Sequence, residues 1–273
     1  MKKFFCFMMI LFVFGCMAYA GQAKLISQDE TVTLNELKIS GIIDNVALVN
    51  HAFPWEANSL VAVMKNGEVL LIDTPYTPAA TKDLLQFIKK KLGKRKIIAV
   101  NTHFHIDRLG GNQALVENKI PIYASVLMKK MIIEKGKASL MQMIGMIDDP
   151  KIKNYYRNFK YVIPDHLFDE KQDKVLDFGE KVIIHYPGVA HSIDNLVVYL
   201  PEKRIIFGGC MILELTKQNA GNVVDGDLVE WSKSLQKIEN KGYKIVIPGH
   251  GRAGGIELIE HTKTVVEKAI GKD

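Results

Sequence analysis

Two rhythms of apolar residues run along the chain. Short apolar runs at 46–49, 59–64, 68–73, 96–100, 121–124, 181–186, 195–200, 204–207 and 244–247 read as strands. At 81–92 the rhythm changes: Leu84, Leu85, Ile88 and Leu92 recur at helical spacing, and Gly93 follows as a stop. Residues 112–118 read as a short helix. Asp227 and Glu230 open another in the manner of a capping box, with Leu228, Trp231, Leu235 and Ile238 on one face. Residues 257–269 read as a closing helix. Asn66-Gly67 between two apolar runs predicts a hairpin. Strands alternating with helices predict a layered α/β fold.

Two stretches depart from this pattern. At the N-terminus Lys2 and Lys3 precede an apolar run at 4–14, too short to span a bilayer, and then Ala18-Tyr19-Ala20, a small-x-small cleavage pattern. Residues 1–20 therefore read as a signal peptide, with a mature chain from Gly21 exported to the periplasm. Val13-Phe14-Gly15-Cys16 offers a lipoprotein signal through Cys16 instead, ranked second because Phe14 is bulky for that motif. The other stretch, 125–160, reads as a helical insertion. It carries Met128, Met131, Met141, Met143 and Met146 and is broken by Asp148-Asp149-Pro150. Two helices packing their apolar faces account for most of these residues. An adaptable wall or lid against a substrate is the other reading.

Composition narrows the class. The 273 residues are 48% hydrophobic and 24% charged, an ordinary globular balance. The net charge of +6 is mild and spread along the chain, two of its positive charges lie in the signal, and no nucleic-acid-binding signature accompanies it. Of three cysteines, Cys6 and Cys16 belong to the signal, which leaves Cys210. No disulfide framework is expected. Cys210 is either a small buried hydrophobe or a metal-bound thiolate.

The candidate chemistry centres on His103-Phe104-His105-Ile106-Asp107-Arg108, followed by Gly110-Gly111. In extended backbone the side chains at i, i+2 and i+4 point one way, so His103, His105 and Asp107 are predicted to converge while Phe104 and Ile106 turn to packing. His191, Cys210 and His250 also stand just beyond predicted strand ends, where ligand sites of α/β folds gather. His51, His166, His185 and His261 lack that setting and read as surface or structural residues. Sorted by chemistry, the donors make a three-histidine site (His103, His105, His191) and a second site (Asp107, Cys210, His250). A thiolate with imidazoles favours zinc over magnesium or calcium. A zinc-stabilised, non-catalytic domain is the alternative. The loop holding Phe53, Pro54 and Trp55 reads as an apolar flap over the site, with core packing of Trp55 as its competitor.

These motifs resemble those of the metallo-beta-lactamases, subclass B1. The His-x-His-x-Asp-Arg stretch, Gly188-x-x-His191-Ser-x-Asp-Asn195, Gly-Gly-Cys210 and Pro-Gly-His250-Gly match in type and order across essentially the whole mature chain. Arg108 and Cys210 separate it from same-fold hydrolases of esters, thioesters or other amides, which are the alternative function. The resemblance implies a four-layer αββα sandwich forming one domain over 21–273, with two Zn2+ per subunit. It further implies hydrolysis of penicillins, cephalosporins and carbapenems by a zinc-bound hydroxide, giving antibiotic resistance. Asp107 is expected to orient the nucleophile and Asn222 to face the lactam carbonyl. Arg108 and Asp73 are expected to support the ligands. Leu213 stands where many relatives place a lysine, so Lys217 is expected to hold the substrate carboxylate, with Trp55 over the substrate. A small-molecule beta-lactam is the only partner implied; no nucleic acid or protein partner is expected, and the default state is a monomer.

Overall fold

A computed structural model describes residues 23–239 and 241–271. The expected signal peptide and Cys16 lie outside the described residues. Eight strands build the first sheet: β1 (Thr31–Leu34), β2 (Leu37–Ile43), β3 (Val46–Ala52), β4 (Glu56–Val63), β5 (Val69–Ile72), β6 (Ile97–Val100), β7 (Ile122–Ser125) and β8 (His166–Phe168). They lie in sequence order, antiparallel from β1 to β5 and parallel from β5 to β8. Five strands build the second: β9 (Lys174–Asp177), β10 (Lys181–His185), β11 (Val197–Leu200), β12 (Ile205–Gly209) and β13 (Ile245–Pro248). Only the β12–β13 pair of this sheet is parallel. The helices are α1 (Pro78–Leu92), α2 (Ile106–Leu109), α3 (Asn112–Glu117), α4 (Val126–Met146), α5 (Pro150–Arg157), α6 (Leu228–Gln236) and α7 (Glu257–Ile270).

The central strands β4, β5, β6 and β12 are buried on both faces, and their period of two divides the side chains between cores. Along β5, Leu70 and Ile72 enter a core shared with Val198, Leu200 and Phe207 of the second sheet. Val69 and Leu71 enter another, with Leu84 and Ile88 of α1. On the far face of the second sheet Val197, Ile206 and Val246 meet Trp231 and Leu235 of α6 and Ile259 of α7. The result is the expected helix–sheet–sheet–helix sandwich.

Local chemistry explains the helix ends. Thr77 caps α1 by accepting from Ala80 N, and Gly93 ends it at φ 72°. Asp227 Oδ1 accepts from Glu230 N at 2.9 Å and starts α6. In the 125–160 segment Ser125 caps α4, Asp149 caps α5, and Pro150 opens α5, where its missing N–H costs nothing.

Two findings differ from the pattern reading. β1, β2, β8 and β9 were not expected: in β2, for example, Leu37 and Ile39 are buried and alternate with Lys38 and Ser40, a half-buried strand rather than a continuous apolar run. The His103–Asp107 stretch is not extended. It bends after β6, and α2 begins at Ile106 with His105 as N-cap. Phe104 and Ile106 are buried as expected, and Asp107, although in the first helical turn, still converges with the two histidines, their donor atoms lying within 4.8 Å of one another. The glycine pair does allow a close approach: a Cβ on Gly110 would lie 2.1 Å from the Tyr76 carbonyl oxygen.

Candidate metal centre

The loops that follow β6, β10, β12 and β13 meet at one edge of the sandwich. His103 Nε2 lies 3.1 Å from His105 Nδ1, which lies 3.1 Å from His191 Nε2. Beside them Cys210 Sγ is 3.3 Å from both Asp107 Oδ2 and His250 Nε2, and His250 Nε2 is 3.2 Å from Asp107 Oδ2. Asp107, Cys210 and His250 form one group able to hold a cation. His103 joins both neighbouring groups, one with His191 and Cys210 and one with His105 and Asp107. Two ligands about 2.1 Å from one tetrahedral zinc stand roughly 3.4 Å apart, so these spacings suit zinc.

The lone pairs point inward for identifiable reasons. His105 Nε2 lies 3.1 Å from Asp225 Oδ2. A ring N–H donated there leaves Nδ1 as the lone-pair nitrogen toward the other histidines. His250 Nδ1 donates to the Glu56 carbonyl, which leaves Nε2 toward Cys210. Burial pushes His103 well below its ordinary value and His191 down to about 3. These two rings are therefore neutral, as ligands must be. Burial also pushes the Cys210 thiol up, against the pull of Arg108, so a cation between these residues is what would make it a thiolate. Burial opposes the charge on Asp107, but Arg108 and His250 outweigh it and hold the carboxyl well below the usual carboxylate range.

Arg108 underlies this second group. Its guanidinium is fully buried and forks onto Asp107 Oδ2 from Nη2 at 2.6 Å and Nε at 2.9 Å. It also donates to the carbonyls of Asn58 and Gly249, each at 2.9 Å, and reaches Asp73 Oδ2 at 3.4 Å. Asp73 accepts from Thr102 N at 2.7 Å and Thr102 Oγ1 at 2.8 Å. Asn58 Nδ2 donates to the carbonyls of Pro248 and Gly251. One arginine and one asparagine thus tie the Asp107 turn to the loop that carries His250. A Cβ on Gly249 would sit 2.8 Å from Cys210 Sγ, so that loop must pass the cysteine with a glycine.

Two adjoining cavities open over the donors, of about 250 and 660 Å3, both lined by Trp55, His191, Asn222 and His250. They are halves of one groove.

Residues 52–250 match the family model of the metallo-beta-lactamase superfamily. The chain belongs to the metallo-beta-lactamase superfamily. It is 30% identical over 266 residues to metallo-beta-lactamase type 2 of Bacteroides fragilis, covering 97% of this chain and 96% of that one. To metallo-beta-lactamase type 2 of Bacillus cereus it is 31% identical over 209 residues, 76% of this chain and 71% of the relative. Among solved structures, a metallo-beta-lactamase from Pontibacter korlensis superposes with a TM-score of 0.71 at 28% identity, over 85% of this chain and 99% of that one. VMB-1 superposes at 0.70 and 32% identity, over 87% and 100%.

In this metallo-beta-lactamase the other expected residues fall around the groove. Trp55 is 43% exposed and lines both halves, the flap position rather than the core. Lys217 lines only the larger half. Asn222 lines both, and its Oδ1 accepts from Val224 N at 3.2 Å, a local turn. His51 is structural and buried, with Nδ1 accepting from Tyr76 N at 3.1 Å. The pattern reading missed Asp225 and its partner Lys135, whose Nζ is 3.1 Å from Asp225 Oδ1. A metal-binding imidazole needs an acceptor for its outer N–H. Yet Asp225 is 120 residues from His105 and is one of 30 acidic residues. The methionines divide: Met128 and Met131 are core, Met141 is exposed, and Met143 and Met146 line the smaller half of the groove.

Proposed function

We propose that this protein is a monomeric, periplasmic zinc beta-lactamase of subclass B1 that opens the lactam amide of penicillins, cephalosporins and carbapenems, and so confers antibiotic resistance. The observation that carries the reading is the convergence of three histidine nitrogens beside an Asp–Cys–His group at the floor of one groove. The donor set fits zinc: His103, His105 and His191 would hold one ion, and Asp107, Cys210 and His250 a second. Bound zinc supplies Lewis acidity and lowers the pKa of water to about 7.

The chain's own residues do the rest. Asp107, kept ionised by Arg108, is placed to orient the attacking water and take its proton at Oδ. Asn222 has Oδ1 committed to Val224, so what it offers a substrate is its Nδ2 hydrogens, which suit the oxygen of a lactam carbonyl as negative charge develops. Lys217, in the larger half of the groove, is the cation for the substrate carboxylate, in place of Leu213. Hydrolysis of imipenem and of a cephalosporin by the zinc-loaded protein, abolished by a chelator and restored by zinc, is the expected result. Absence of turnover in the loaded protein would overturn the reading, and turnover of a thioester alone would move the chain to the other hydrolases of this fold.

Two substitutions probe the supporting groups. Lys217→Ala should raise KM for a carbapenem about threefold to fivefold with little change in kcat, the worth of an exposed ion pair. An unchanged KM removes Lys217 from the carboxylate site. Asp225→Ala frees the His105 ring to rotate or change tautomer. It is expected to weaken zinc binding about tenfold or more, measured by competition with a chromophoric chelator.

A further inference from the structure

Positive residues occur throughout the sequence, but their balance against negative ones is local. Residues 21–273 hold 34 basic and 30 acidic side chains, of which residues 125–160 hold eight and three, leaving 26 and 27 elsewhere. The net positive charge past the expected cleavage site therefore comes from this one segment. It also holds Val126, Ile133, Met141, Met146 and Tyr155, five of the twelve large apolar side chains that stand exposed among the described residues. On the first three turns of α4 the two features coincide. Met128, Met131 and Ile132 bury one side of the helix, and a surface helix ordinarily keeps polar residues for the other. Here that other side interleaves Val126 and Ile133 with Lys129, Lys130 and Lys137, all exposed. At 3.6 residues per turn the five fall within an arc of about 100°, and Met141 continues it at one edge. Val126, Ile133 and Met141 are 51, 65 and 56% exposed. Among the described residues the ion pair made by α4 is Lys135 with Asp225, so these three lysines carry no carboxylate partner. Val126, Lys129, Lys130 and Ile133 also share an open groove of about 410 Å3 with Leu167 of β8.

We infer that this face of α4 docks on an anionic phospholipid bilayer. Apolar side chains interleaved with lysines on one helix face match the boundary between headgroups and acyl chains. Val126, Ile133 and Met141 enter that boundary, and Lys129, Lys130 and Lys137 pair with lipid phosphates. The chemistry separates this occupant from two others. A nucleic acid would take up the lysines and leave the apolar side chains in water. A protein partner would have to bury three lysines at the centre of its interface, where lysine is depleted. The face is distinct from the catalytic groove, since none of the six side chains lines it, and the inference does not depend on the lactamase reading. The export proposed above would bring the protein to such a surface.

The test is co-sedimentation of the exported, purified protein with vesicles of equimolar phosphatidylglycerol and phosphatidylcholine, and with vesicles of phosphatidylcholine alone. Every chain carries Cys16→Ser, so that no lipid anchor at that position contributes. Binding to the anionic vesicles is expected, falling as salt is raised, with none to phosphatidylcholine. Lys129→Gln/Lys130→Gln/Lys137→Gln is expected to weaken it about a hundredfold, and Val126→Ala/Ile133→Ala/Met141→Ala about tenfold. Glutamine and alanine are good helix formers, and an unchanged circular dichroism melt confirms that α4 persists. Lys38→Gln/Lys94→Gln/Lys244→Gln removes the same charge from exposed positions elsewhere and is expected to change binding less than twofold. Failure of the wild type to sediment with the anionic vesicles overturns the inference without recourse to any variant. An equal loss in the control triple would show attraction by net charge alone, and would overturn the α4 face. Binding unchanged in the apolar triple would make the face a general polyanion site, open equally to nucleic acid, and would overturn the bilayer as its partner.

Discussion

Arg108→Ala is expected to lower the stability of the metal-free protein by about 3–5 kcal/mol. The guanidinium is fully buried and faces two carboxylates, Asp107 and Asp73. Removing it leaves the buried Asp107 carboxylate without its cation, the costly way to break a buried pair, while Asp73, which burial already raises to about 7, takes up a proton instead. It also strips a donor from each of the carbonyls of Asn58 and Gly249, leaving the Gly249 oxygen with the Asn58 N–H at 2.8 Å. The same carbonyls tie β4 to the His250 loop, so the loss falls on the join between the sheets. Urea denaturation with linear extrapolation measures the effect, and metal-free protein keeps ligand binding out of the comparison. A loss under about 1 kcal/mol would show that the ion pairs merely break even with their desolvation. Lysine does not rescue, because a single ammonium cannot reproduce the fork on Asp107 together with two carbonyls.

Cys210→Ala is expected to reduce bound zinc from two ions per chain to one and to slow lactam hydrolysis by about a hundredfold. The sulfur stands 3.3 Å from both Asp107 and His250, and without it that group keeps two protein donors. His103, His105 and His191 retain their mutual spacing, so one ion stays. The residue is small and buried at a loop–strand junction, so alanine leaves the fold in place and costs about 1 kcal/mol of packing. Metal content by mass spectrometry under native conditions separates the alternatives: two ions retained in the variant would make Cys210 a buried hydrophobe rather than a ligand.

The fold was legible wherever its cause is local. The continuous apolar runs of β4, β5, β6 and β12 announce strands buried on both faces, and the helical spacing of Leu84, Leu85, Ile88 and Leu92 announces α1. β2 was missed because it alternates buried and open positions, and β1, β8 and β9 because they are short and largely open. The donor residues could be nominated because each follows a strand end. Their aim could not: the bend at His103–His105 and the start of α2 at Ile106 turn Asp107 toward Cys210, and nothing in the spacing of the stretch encodes that turn.

Residue type, apolar period and capping chemistry therefore specify a layered α/β chain with metal-capable side chains at strand ends, because each acts within a few residues. The pairing of those side chains is a different matter. Asp107 meets Cys210 across 103 residues, His105 meets Asp225 across 120, and Arg108 bridges to Gly249 across 141. These contacts exist only once the two sheets pack face to face and bring their loops to one edge. The same holds for α4: its methionines are apolar in any reading. Which are core and which line the groove is decided by Lys135, Tyr156 and Tyr161, whose partners lie 25 to 103 residues away.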